Sequence, residues 1–260
     1  VADEARSARI AATRAEAVTF LGAHLVPDDR DADDYLDEVV GPMLAAVRAH
    51  VDAIDVFCER GAFDEVRSRR VLEAGRDAGL ALRVHGNQLG PGAGVRLAVE
   101  LGAASVDHVA FVSDVEIALL ADSWAGDSRG TVATLLPACD LSTRMPAALA
   151  RALVDAGATI AIATNANPGT SYTTSMAFCV ATSVLQQRLT VAEAVRAATL
   201  GGAIALGRDE PRPGLPDVGR VRVGARGDLH VLDAPSAAHL AYRPGVPLTH
   251  AVWRAGERVV

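Results

Sequence analysis

Residues 54–88 read IDVFCERGAFDEVRSRRVLEAGRDAGLALRVHGNQ. Ile54 to Glu59 is an apolar run of strand length. Asp64 to Ala78 then spaces its apolar residues at helical period among charged ones, and Leu80 to His85 is a second strand run that ends in polar His85-Gly-Asn-Gln88. Strand, helix and strand in that order form a βαβ unit, the connection that parallel strands require.

The same alternation extends both ways. Further strands are expected at Val18 to Val26, Ser105 to Phe111, Thr131 to Pro137 and Thr159 to Thr164. Helices are expected at Ala32 to His50, Ala93 to Leu101, Asp114 to Ala121 and Ala147 to Asp155. Ser113 with Glu116 and Thr190 with Glu193 have the spacing of capping boxes, the second opening a helix from Val191 to Leu206. Six βα units suit either an open doubly wound sheet or an eight-stranded (β/α) barrel that lacks two units. The open sheet would normally bring a GxGxxG turn; the nearest stretch, Gly90-Pro-Gly-Ala-Gly94, interrupts it with proline. An α/β TIM-like (β/α)8 barrel lacking its first strands is therefore the expectation for residues 1–207. After Gly207 come Pro211, Pro213, Gly214 and Pro216, then strand-like runs at Arg220 to Val223, Asp228 to Asp233 and Val252 to Val260. Residues 208–260 read as a linker and a small β-module.

Composition narrows the function. The net charge of −7 and scattered arginines leave no basic stripe for nucleic acid. No apolar run reaches the length of a membrane span. Cys58, Cys139 and Cys179 offer neither an even set nor a CxxC pair, which suits a cytoplasmic protein without disulfides. All 25 basic residues are Arg, so this chain has no Lys for a Schiff base or a carbamylated metal bridge. The chain opens on Val1, and Ala2 to Glu16 reads as helix without a signal core, so a fragment or incomplete start is expected.

A (β/α) barrel builds its site at the C-terminal ends of its strands. The polar residues expected there are His24, Glu59, His85 with Asn87 and Gln88, Asp107 with His108, the Cys139 to Arg144 loop, and Asn165 with Asn167. A lone strand-end histidine is most often structural; three on one barrel face point to metal binding or proton transfer. Such a histidine needs a second group to fix its tautomer, and Asp107 is expected to face away from His108 because strand neighbours alternate. Residues 163–171, ATNANPGTS, form a polar loop that is either an ordinary Asn-Pro-Gly turn or a ligand cradle. Cys139 and Cys179 are expected to be inert buried thiols, and Tyr172 and Arg144 loop-surface residues.

In this order, Thr19-Phe-Leu-Gly-Ala-His-Leu-Val-Pro27, Asp55-Val-Phe-Cys-Glu59, His85-Gly-Asn-Gln88, Ser105-Val-Asp-His108 and Asn165-Ala-Asn-Pro-Gly-Thr170 resemble the imidazolonepropionase family of the amidohydrolase superfamily. Gly224-Ala-Arg-Gly-Asp-Leu-His-Val-Leu232 is similar to the segment that closes that superfamily's composite β-sandwich domain. The resemblance runs from about Phe20 to the end of the chain. It implies a cytoplasmic hydrolase with one zinc or iron ion that opens the ring of 4-imidazolone-5-propanoate with water to give N-formimino-L-glutamate. A homodimer is the family's expectation.

Position by position, the resemblance makes His85 a metal ligand and puts Asn165 where the family has a ligating Asp. Gln88 falls where most members have a substrate-touching Glu that serves as base. His24 matches a substrate-contacting histidine and His108 the histidine that assists attack; Asn167, Gly169 and Thr170 match the loop around substrate or product. Asn165 and Gln88 each replace a carboxylate by an amide. The family's His-x-His metal pair and its carboxylate-gripping Arg have no counterpart here and are expected upstream. The alternatives are another cyclic-amide hydrolase or amino-heterocycle deaminase of the superfamily, or a metal-free barrel that only binds its ligand.

Overall fold

The computed structural model describes residues 1–126 and 129–260. The chain divides into two compact units, Val1–Thr131 and Val132–Val260.

The first unit holds four parallel strands, β1 (Thr19–Ala23), β2 (Ala53–Cys58), β3 (Ala81–Gly86) and β4 (Ser105–His108), paired in chain order. The register sets Asp55 beside Arg83, Phe57 beside His85, and His85 beside Asp107. One face of this sheet therefore carries Asp55, Phe57, His85 and Asp107. The other carries Ile54, Val56, Leu82, Val84 and Val106, all buried.

Helices cover that apolar face. The unit's helices are α1 (Ala2–Ala12), α2 (Ala32–Glu38), α3 (Leu44–Val47), α4 (Glu65–Asp77), α5 (Gly94–Glu100) and α6 (Asp114–Asp122). In α4, a Cβ on Gly75 would lie 2.1 Å from Ile54 Cγ2, so helix backbone rests directly on the strand. Val71 and Leu72 are fully buried alongside; removal of each such side chain from water contributes roughly 1.5–3 kcal/mol. Asp64 caps α4 by accepting the Arg67 N–H, and Ser113 with Glu116 forms the full capping box of α6.

The single helix expected from Ala32 to His50 is instead broken. α2 gives way to a π-helical turn, Val39–Met43, where Gly41 leaves helical geometry (φ −101°, ψ −106°) just before Pro42. Proline has no N–H for the ladder, which explains a break at this point.

In the second unit β5 (Val132–Leu135) and β6 (Ile160–Ile162) pair in parallel, with α7 (Pro137–Thr143) and α8 (Ala150–Asp155) between them. α9 (Met176–Leu185) follows, then α10 (Val191–Arg196), which opens on the Thr190–Glu193 capping box, and α11 (Gly202–Ala205). The expected helix from Val191 to Leu206 is interrupted by a π-helical turn, Ala197–Gly201. All six expected parallel strands are present; β2 and β3 have the expected length, displaced by one residue, and the other four are shorter than expected.

The β-module is a three-stranded antiparallel sheet of β7 (Leu229–Leu232), β8 (Thr249–Arg254) and β9 (Glu257–Arg258), with α12 (His239–Tyr242) between the first two. The strand expected across Val252 to Val260 is a hairpin. Its turn, Ala255 (φ +52°) and Gly256 (φ +84°), has the two left-handed residues that a tight hairpin needs. Arg220 to Val223 is not a strand, because Arg222 folds back to ion-pair with buried Asp217 at 2.8 Å.

Candidate active site

The polar face of the first unit gathers an aromatic and acidic cluster at the strand ends. His24 follows β1 and stacks on Phe57 of β2, with ring centroids 4.9 Å apart and planes 12° from parallel. Its edge meets His85 of β3 at 5.6 Å, and His85 lies 5.3 Å from His108 at the end of β4. The three histidines singled out in the sequence are thus brought together.

His85 donates through Nδ1 to Asp55 Oδ1 at 2.8 Å. A carboxylate only accepts, so this contact keeps a proton on Nδ1 and makes Nε2 the atom that can bind a ligand once its own proton is displaced. Asp55 is the site residue that sequence reasoning misses. Its signal is an acidic residue inside an otherwise apolar strand, which is costly unless paired. Potential ligand atoms of Asp55, His85 and Asp107 all lie within 4.8 Å of one another.

Asp107 and His108 both approach His85, the first with its carboxylate and the second with its ring. His108 and Val109 adopt left-handed backbone (φ +78° and +48°), so the alternation ends at Asp107 and His108 swings toward His85. Left-handed geometry is unfavourable for a β-branched residue such as Val109. Here the turn is held by Val109 N–H donating to Gly86 O and Phe111 N–H to Asn87 O.

The histidines have distinct charge states. Burial works against a proton on His85, but the Asp55 and Asp107 carboxylates outweigh it and raise its pKa to about 9. Burial, reinforced by His85 and His24, lowers His108 to about 3. His24 is lowered by burial and by His85, against a weaker pull from Asp55. His108 therefore stays neutral at physiological pH. Only 2% exposed, it has no hydrogen-bond partner for its Nδ1 among the described residues.

Gln88 is half-buried just beyond β3. Before it, Asn87 (φ +53°) is fully buried; its amide donates to Phe111 O and Glu116 Oε1, both at 3.0 Å, and accepts the Val95 N–H.

The polar loop after β6 lies in the second unit. Asn165 takes left-handed backbone (φ +49°), which Asn and Asp tolerate well. Asn167 Oδ1 accepts the N–H groups of Gly169 and Thr170, each at 2.8 Å, while its Nδ2 donates to Asn165 O at 2.7 Å. Ser171 donates to Thr164 O and closes the base. Asn167 thus builds the turn with its own side chain, and Gly169 stands exposed at the tip.

The cysteines are buried and unpaired, and burial lifts Cys179 to about 11, which makes it a poor nucleophile. Tyr172 is exposed, as expected.

Histidines and carboxylates at the ends of parallel barrel-type strands agree with the family model that matches residues 67–259, the amidohydrolase family. The chain belongs to the amidohydrolase family. Among its amidohydrolase relatives, the imidazolonepropionase of Arthrobacter sp. (strain FB24) is 66% identical, aligned over 99% of this chain and 66% of that protein. That of Saccharopolyspora erythraea is 63% identical, over 100% of this chain and 64% of that protein. The chain spans about two thirds of the length of these relatives.

Solved structures share the amidohydrolase fold at low sequence identity. An adenosine deaminase from Xanthomonas campestris with bound zinc superposes with TM-score 0.67 at 21% identity, covering 91% of this chain and 59% of that one. N-isopropylammelide isopropylaminohydrolase from Burkholderia multivorans gives 0.68 at 18%, covering 94% and 62%. The fold is accordingly a TIM-like barrel of alternating strands and helices with a small antiparallel sheet.

Proposed function

We propose that the full-length protein hydrolyses 4-imidazolone-5-propanoate to N-formimino-L-glutamate. The observation that carries this reading is His85 held by Asp55 beside a buried, neutral His108, in a chain 66% identical to an imidazolonepropionase.

The residues present fit part of a metal centre. His85 offers Nε2 to a borderline cation, and the carboxylate behind it is the usual support of a ligating imidazole. Asn165 is the second proposed ligand, through its amide oxygen; the remaining ligands are proposed to lie outside this chain. Zinc and iron both suit such a nitrogen and oxygen set. A bound cation of this kind supplies Lewis acidity toward the ring carbonyl and activates water at neutral pH.

The chain's own groups divide the remaining work. His108 assists the attack by accepting a hydrogen bond at a neutral imidazole nitrogen, its basicity too low for it to hold a proton at neutral pH. Gln88 has no charge to accept a proton and so binds rather than acts as base, donating or accepting hydrogen bonds to the ring. His24, fixed against Phe57, contacts the substrate, and the turn built by Asn167 presents Gly169 and Thr170 to it. Cytoplasmic location and a homodimer go with this reading; no helix among the described residues is long and apolar enough to cross a membrane.

The experiment is to supply the full-length protein with 4-imidazolone-5-propanoate and follow its consumption before and after chelation. No turnover after zinc or iron is restored would sink the proposal. The amides at Gln88 and Asn165 favour one second reading, a barrel that binds this ligand without metal. Elemental analysis separates them: stoichiometric metal in the purified protein excludes the second.

A further inference from the structure

Glu59 follows directly on β2, is 8% exposed, and has no part in the hydrolytic scheme above. A buried carboxylate is costly unless something receives its charge. Here Oε1 accepts the main-chain N–H of Gln88 at 2.5 Å. Burial raises the Glu59 pKa, and the N–H groups of Gln88, Leu89 and Arg60 oppose that rise. The bond from the Gln88 amide to this carboxylate is charge-assisted, and such hydrogen bonds are roughly twice as strong as neutral ones.

The turn that carries Gln88 is therefore fastened on two sides. Asn87 ties it to Phe111, Glu116 and the start of α5. Glu59 ties it to the end of β2. Between these anchors the Gln88 main chain has little freedom, and its side chain starts from a fixed point.

The geometry points to Glu59 as a positioning residue: by receiving the amide of Gln88, it sets where the Gln88 side chain stands and so how substrate is held. This inference rests on the reading that Gln88 touches the substrate. Glu59 itself moves no proton. Gln at this position keeps the shape and one acceptor oxygen but loses the charge and puts an NH2 in place of the second oxygen; Asp falls one methylene short.

The test uses the full-length protein with Glu59→Gln, Glu59→Asp, Gln88→Ala and the Glu59→Gln/Gln88→Ala double variant. Hydrogen exchange at the Gln88 and Leu89 amides should quicken about tenfold or more in Glu59→Gln, with protection in β2 and β4 retained. The same variant should lose about ten- to a hundredfold in kcat/KM, mostly through KM, with Glu59→Asp between it and the parent. In the Gln88→Ala background Glu59→Gln should cost less than about twofold, because its effect passes through Gln88. Unchanged exchange at those amides, additive losses in the double variant, or loss of protection throughout the first unit would each overturn the proposal. If Gln88→Ala alone leaves kcat/KM intact, the contact between Gln88 and substrate falls, while the exchange data still decide whether Glu59 holds the turn.

Discussion

His85 Nδ1 and Asp55 Oδ1 meet at 2.8 Å across neighbouring strands, two residues out of register, since Asp55 lies beside Arg83. The contact fixes both the ring orientation and the proton position of a proposed ligand. Asp55→Asn keeps the volume but removes the charge that supports the imidazole. Metal affinity of the full-length protein should fall about 10- to 100-fold. Metal retained through a chelator series measures this; an unchanged series would mean that Asp55 serves folding alone.

Asn165 poses the complementary question. Its left-handed backbone suits Asn and Asp alike, so conformation does not choose between them. Charge does. Asn165→Asp should bind zinc or iron more tightly, by about tenfold or more, since a carboxylate is the stronger oxygen donor. The loop should survive, because the Asn167 side chain builds the turn. Competition with a chromophoric chelator reads the difference, and equal affinity would remove Asn165 from the ligand set.

Asp140 makes stability depend on pH. It is 4% exposed, and burial lifts its carboxyl from 3.8 to about 7 against the weak pull of the Ala148 N–H. Below about pH 4 the group is protonated in the folded and unfolded chain, and no penalty arises. Between about pH 4 and 7 the unfolded chain has lost the proton and the folded one keeps it, so each unit of rising pH costs up to about 1.4 kcal/mol. Above about pH 7 the penalty is complete. Asp140→Asn cannot ionise, so its stability relative to the parent should grow between pH 5 and pH 8 in denaturant melts. A constant difference would place the ionisation elsewhere.

Two glycines should respond oppositely to alanine. A Cβ on Gly94 would lie 2.6 Å from Gly86 Cα, backbone against backbone, so Gly94→Ala must push α5 off β3. A loss of about 1–3 kcal/mol is expected. Gly202 has helical φ of −60°, and a methyl group placed on its Cα would meet nothing within 4 Å. Gly202→Ala should gain about 0.4–1 kcal/mol. Urea midpoints of both variants check the contrast.

The sequence reveals elements wherever one local pattern decides the outcome. The runs around Ile54, Leu82, Val106 and Ile160 are too apolar and too short for anything but buried strands, and the Ser113 and Thr190 caps mark their helices without ambiguity. α9 is not legible in the same way because Cys179 to Ser183 are buried without a break, so no amphipathic stripe marks the helix. The histidine cluster is visible as residue types at strand ends. Its internal order is not: the Asp55–His85 pair and the place of Asp107 follow from inter-strand register, and the place of His108 from two left-handed residues that no pattern of side chains announces.

The cluster draws one side chain or more from each of four parallel strands, at His24, Asp55, His85 and Asp107. No two of these lie close along the chain, and parallel pairing forms only after each helical crossover has closed. A growing polypeptide that has reached only β3 therefore has an incomplete version of this centre. Until β4 has been synthesised and docked, His85 lacks its neighbours Asp107 and His108, so a cation that requires the assembled group can be captured only by a chain that has finished folding its first unit.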